Sequence, residues 1–175
     1  MKRLASLMSV VLLAGCDLDL TSLTGCEYER DFTEQMSASG LAELIADVED
    51  GDLRIEGRSG SNEIRVYAHA CASDRNTLRD VDFEFARVNG RAEITSYVPN
   101  YDRARLDFVI EVPMDFDAEV YDTDGDITVR DIHSAWIDDG SGNIEARNLS
   151  GDLTVYRDRG GSVHYSNING RVLLP

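Results

Sequence analysis

From Leu41 onward, apolar and polar residues alternate with a period of two. Asp50-Gly51-Asp52-Leu53-Arg54-Ile55 shows the pattern first. It returns in Ile64-Arg65-Val66-Tyr67-Ala68, Val81-Asp82-Phe83-Glu84-Phe85, Ala92-Glu93-Ile94-Thr95, Leu106-Asp107-Phe108-Val109-Ile110 and Ala118-Glu119-Val120-Tyr121. Such alternation places every second side chain on one face of a strand and predicts half-buried β-structure. The run from Leu41 to Val48 could form a helical turn, but it leads straight into the alternation, and no later segment carries the spacing of an amphipathic helix. The expectation is an all-β domain over residues 41–175. Residues 16–40 are polar and glycine-punctuated, and are expected to act as a tether.

The last third is more regular. Short strands begin at Ile127, near Ala135, and at Ile144, Leu153, Val163 and Val172, at intervals close to nine residues. Turn signals precede most of them: Asp124-Gly125-Asp126, Ser141-Gly142-Asn143, Ser150-Gly151-Asp152 and Gly160-Gly161-Ser162. Glycine supplies the backbone conformation of a tight corner, and a neighbouring Asp, Asn or Ser can bond the exposed amides. A fixed short period of strand and corner predicts a parallel β-solenoid. Two strands per coil give a coil of about 18 residues, with Ile127, Val129, Ile144, Ala146, Leu153, Val155, Val163 and Tyr165 inward. A β-sandwich is the competing architecture, since short strands with turns every 8 to 12 residues are also its signature. The constancy of the repeat favours the solenoid.

At the other end, Lys2-Arg3 is followed by an apolar run from Leu4 to Leu13 and then Leu13-Ala14-Gly15-Cys16. This resembles the lipobox of bacterial lipoproteins, which implies diacylglycerol on the Cys16 thiol and cleavage just before it. An apolar span of about 10 to 12 residues is too short to cross a bilayer, which takes roughly 20, so residues 1–15 are expected to be a cleaved signal. The resemblance implies an envelope protein attached to the membrane through its N-terminal lipid. Asp17 leaves inner and outer membrane open.

The chain has 175 residues, 17 basic and 33 acidic. Cleavage would remove Lys2, the single lysine, with Arg3, leaving 15 arginines against 33 acids, a net charge of −18. That balance excludes nucleic acid as an expected partner and repels acidic polysaccharides at long range. The absence of lysine from the mature chain excludes Schiff-base chemistry. Cys26 and Cys71 are expected to form a disulfide, as paired cysteines of exported proteins do. A zinc site is not expected, because there is no Cys-x-x-Cys spacing and His69, His133 and His164 are scattered.

Lipobox, Gly51-Asp52-Leu53-Arg54-Ile55-Glu56-Gly57, Val112-Pro113 and the glycine-Asp/Asn-apolar repeats through Asn169-Gly170-Arg171-Val172 together carry a further resemblance. Residues 41–175 look like the bacterial "putative adhesin" domains of unknown function. That resemblance implies a right-handed parallel β-helix on an envelope-anchored protein. The family defines no catalytic residue, so none is carried over.

Candidate chemistry is sparse. Asp122, Asp124 and Asp126 resemble the opening of a calcium loop, but the sixth and twelfth positions of an EF-hand would fall on Ile127 and His133, where glycine and glutamate are required. Gly160-Gly161-Ser162-Val163 likewise departs from the nonapeptide calcium roll. No Gly-x-Ser-x-Gly elbow is present, and the many aspartates are explained by corners, so no catalytic residue and no cofactor are expected. Between the strands, Tyr97, Tyr101, Arg103 and Arg105 have the composition of a recognition loop. Trp136, between Ala135 and Ile137, is expected either on the outer face of a strand or as a core plug. The expected role is a non-catalytic interaction or scaffolding surface for an envelope protein or glycan. A calcium- or glycan-binding module is the alternative, and a small polysaccharide-active enzyme the third reading.

Overall fold

The computed structural model describes residues 26–99 and 103–175. Fourteen strands and one short helix follow one another as β1 (Tyr28–Ser37), β2 (Glu43–Asp50), β3 (Leu53–Arg58), β4 (Glu63–Ala72), α1 (Arg75–Asp80), β5 (Asp82–Val88), β6 (Arg91–Tyr97), β7 (Ala104–Pro113), β8 (Asp117–Asp124), β9 (Ile127–Arg130), β10 (Ser134–Asp139), β11 (Ile144–Leu149), β12 (Leu153–Asp158), β13 (Val163–Ile168) and β14 (Val172–Leu173). They form two seven-stranded sheets. Sheet I has the order β1-β4-β7-β3-β9-β11-β13 and sheet II the order β14-β12-β10-β8-β2-β6-β5.

Both sheets are mixed. β1 runs antiparallel to β4, β4 to β7, and β5 to β6. The remaining pairs are parallel, and past β7 the chain alternates strictly between the sheets. There each strand lies 17 to 19 residues from its neighbour: Ile127 pairs with Ile144, Ile144 with Val163, Ala135 with Leu153 and Leu153 with Val172. As a whole the architecture is all-β and sandwich-like, closer to the alternative than to a solenoid parallel throughout. Alternation specifies which face a residue occupies but not strand direction, so the antiparallel strands were not visible in it.

Glycine corners stack where the chain turns from sheet II to sheet I. Gly51, Gly125, Gly142 and Gly161 have φ of 138°, 149°, 139° and 118°, and each is followed by a polar residue. A Cβ on Gly142 would lie 1.9 Å from the Gly125 carbonyl oxygen, and one on Gly125 would lie 2.1 Å from that of Gly51. Only glycine lets successive turns approach this closely. The following side chains form a ladder: Asp126 N–H donates to Asp52, Asn143 N–H to Asp126 at 2.8 Å, and Ser162 Oγ to Asn143 at 2.8 Å. At another corner Asp131, Asn148 and Asn167 take φ of 59°, 55° and 54°. Their side chains are also chained, with Asn148 donating to Asp131 at 2.8 Å and Asn167 to Asn148 at 3.0 Å.

The inward faces of both sheets share one core that includes Leu44, Ile55, Ile94, Ile110, Val120, Ile137 and Ile144. Phe32, Phe83 and Phe108 add edge-to-face contacts at 5.5 and 5.4 Å. Buried Glu56 is compensated by Arg58 at 3.0 Å and by Arg130, as a charge removed from water requires.

Three expectations are corrected. Residues 28–37, assigned to the tether, form β1, paired along its whole length with β4. Ser73-Asp74 starts a helix too short to show a period: Asp74 accepts from the Asn76 and Thr77 amides at 3.0 Å each, an N-cap that holds its carboxyl below the usual range. Ile127, Val129, Ile144, Ala146, Leu153 and Val155 are buried, but Tyr165 is 50% exposed and Val163 only half-buried. Among the described residues β13 is an edge strand of sheet I, paired on one side only, with β11.

Candidate functional site

β8, β10 and β12 lie side by side in sheet II, all parallel. Because alternate residues face alternate ways, Ala118, Val120, Ala135, Ile137, Leu153 and Val155 enter the core, while Glu119, Tyr121, Trp136, Asp138, Thr154 and Tyr156 face outward. Three of the outward residues are aromatic and touch. The Tyr121 and Trp136 ring centroids are 5.3 Å apart with planes tilted 55°; those of Trp136 and Tyr156 are 5.5 Å apart and stacked at 23°. Tyr156 is 63% exposed, Tyr121 37%, and Trp136 half-buried between them. Aromatic pairs at these separations contribute about 0.5 to 1.5 kcal/mol beyond the area they bury, so the row is a firm feature of the face.

Hollows flank the row. One, of about 400 Å³, is lined by Trp136, Thr154, Glu43, Asp117, Glu119 and Asp152 among others. Its acids mostly have close partners: Arg91 lies 2.9 Å from Glu43, His133 Nδ1 2.6 Å from Asp117, and Arg171 3.1 Å from Asp152. The Tyr121 hydroxyl donates to Glu119, which pushes the phenol up to about 12 and keeps it protonated. A second hollow, of about 310 Å³, is bordered by Asp47, Tyr121, Asp138, Arg157 and Arg159 and reaches the strand ends at Asp122 and Asp139. Arg157 grips Asp138 with two hydrogen bonds of 2.6 and 2.5 Å. Carboxylates with such neighbours remain free to accept hydrogen bonds from hydroxyls.

The residues singled out from sequence are not gathered here. Cys16 and Tyr101 lie outside the described residues. Cys26 and Cys71 form a disulfide with Cα atoms 5.4 Å apart, fastening the start of β1 to β4. Tyr97 is 59% exposed at the end of β6 in sheet II. Arg105 belongs to β7 in sheet I, 3.7 Å from Asp107, and exposed Arg103 stands 4.0 Å from Asp74. Asp122, Asp124 and Asp126 diverge: Asp122 turns inward, Asp124 accepts from Ser141 Oγ at 2.5 Å, and Asp126 is engaged by Asn143. Among the described residues, no three His, Cys, Asp or Glu side chains converge to hold a metal ion.

The aromatic row is not apparent in the sequence because it is diagonal. The register partners of Trp136 are Glu119 and Thr154, whereas the rings it touches lie two residues further along each neighbouring strand. The coil period does not align them.

No family model matches the chain, and no curated protein does. Among solved structures it is similar to a "putative cell adhesion protein" from Clostridium sporogenes, with 12% identity, TM-score 0.41, and coverage of 84% of this chain and 99% of that one. A "putative adhesin" from Parabacteroides distasonis aligns at 14% identity and TM-score 0.36, over 82% of this chain and 73% of its own. One from Bacteroides fragilis aligns at 9% and 0.31, over 83% and 97%. At such identities and scores these likenesses assign no residue a role.

Proposed function

We propose that the chain is a non-catalytic, lipid-anchored interaction module of the bacterial cell envelope that takes a neutral glycan on the outer face of sheet II. The observation that carries the reading is the contacting row Tyr121–Trp136–Tyr156 on an exposed β-face. Apolar sugar faces pack on aromatic rings, and sugar hydroxyls donate to carboxylates. The row and its flanking acids offer both within one span of three strands. Net charge supports a neutral or amino-bearing sugar over an acidic one. The lipobox at Cys16 supports attachment, and the parallel winding from β8 to β14 supports a solenoid-like stack that holds the face rigid. Peptide partners would also be served by aromatic anchors; the ion-paired carboxylates beside Trp136 favour sugar.

Native affinity electrophoresis through gels containing neutral polysaccharides tests this reading. The expected outcome is retardation by at least one polysaccharide, reduced about tenfold in affinity by Trp136→Ala and Tyr156→Ala, in line with losses of about 1 to 2 kcal/mol for a removed aromatic anchor. Unretarded migration in every neutral gel would sink it.

A further inference from the structure

Asp122 on β8 and Asp139 on β10 are register partners on adjacent parallel strands, both turned into the end of the core. Asp139 is 0% exposed and Asp122 8%. All four carboxylate oxygens are shut off from solvent and lack a hydrogen-bond donor of ordinary geometry. Among the described residues, neither carboxylate has an Arg or His within ion-pairing distance; Arg157, beside them, is committed to Asp138. More negative charge surrounds the pair: Asp158 is in register with Asp139 on β12, and Asp124 follows two residues after Asp122 on β8. The backbone amides of Thr123, Gly140 and Ser141 approach the two carboxylates but supply no counter-charge, and proteins that bury such a pair balance it with a cation or neutralise it.

We propose that Asp122 and Asp139 hold a divalent cation of the hard, oxygen-seeking class, with calcium the best fit. Adjacent strands are about 4.8 Å apart, a gap that an ion with ligand distances of about 2.4 Å bridges from both sides. Asp122 and Asp139 provide the carboxylate ligands, and main-chain oxygens and water complete the six to eight that calcium takes. The hollow lined by Thr123, Gly140 and Ser141 reaches these strand ends and gives the ion its approach. The site shares only Asp122 with the Asp122-Asp124-Asp126 loop suggested by sequence: Asp124 accepts from Ser141, and the Asp126 carboxylate belongs to the corner ladder.

Isothermal titration of the protein with calcium chloride at neutral pH tests this. The expected result is one saturable site per chain. Asp122→Asn and Asp139→Asn should each abolish the heat while exposed Asp115→Asn preserves it. Asparagine removes the repulsion, so both variants are expected to keep the wild-type far-ultraviolet spectrum. No saturable heat at millimolar calcium, or binding that survives the double substitution, would overturn the site. Should a variant lose its fold, the wild type alone decides: calcium should raise its urea midpoint, and an unchanged midpoint overturns the site.

Discussion

Asp122 and Asp139 set the pH dependence of the domain. Their folded values, about 8 and about 6, lie above the ordinary 3.8. The folded state therefore holds more protons than the unfolded chain between those limits, and stability falls as pH rises from about 4 to about 8. Asp74 and Asp152 act oppositely. Both are lowered, chiefly by backbone amides of Thr77 and Arg171, so their contribution is lost on acidification below about 4. Urea unfolding in the presence of a chelator should give a higher midpoint at pH 5.5 than at pH 8.5, and Asp139→Asn should reduce that difference. Equal midpoints for the wild type would contradict the burial of the pair. Gly142 is a second sensitive position. Its φ of 139° and the Gly125 oxygen 1.9 Å from where a Cβ would sit predict a loss of at least about 2 kcal/mol for Gly142→Ala. Gly40 also has a left-handed φ, 74°, but an added methyl group would meet nothing within 4 Å, so the same change should cost only the backbone strain, about 1 to 2 kcal/mol. Chemical denaturation of the two variants checks the contrast.

At the level of elements, strand content and corners were legible because each is encoded locally: Ile127-Thr128-Val129 alternates, and Gly125-Asp126 marks its corner. The spacing of 17 to 19 residues between stacked strands follows from those corners. Pairings that cross a long insertion are not local. Asp52 and Asp126 belong to one ladder although 74 residues separate them, because β4 to β8 intervene. β1 was obscured for another reason: its exposed edge carries Glu29, Asp31 and Glu34, which mask an alternation that buries little. The candidate site was legible in part. Outward placement of Trp136 was one of two options, whereas its contacts with Tyr121 and Tyr156 depend on a diagonal between strands. The Cys26–Cys71 bridge spans 45 residues, so Cys26→Ser/Cys71→Ser should cost about 4 kcal/mol on the loop-entropy account. Because β1 also has a ten-residue ladder with β4, the double variant should unfold at lower denaturant while retaining its β-sheet circular dichroism in water.

For the whole molecule, the two sheets do different work. Sheet I receives the disulfide-fastened β1, and sheet II turns its aromatic row outward on strands whose inner residues are fully packed. A recognition face on such a support needs little ordering on binding, and preorganisation of this kind raises affinity without new contacts. The charge of −16 on the full chain repels acidic groups at long range. Trp136 is the single tryptophan of the sequence, so its fluorescence reports on the proposed face without labelling. The decisive measurement is a titration of Trp136 emission with neutral oligosaccharides from the polysaccharide that retards the protein. The expected result is a saturable change in intensity or wavelength that Tyr156→Ala weakens and Tyr97→Ala leaves intact. Retardation with unchanged Trp136 emission would place binding elsewhere and contradict the assignment of this face.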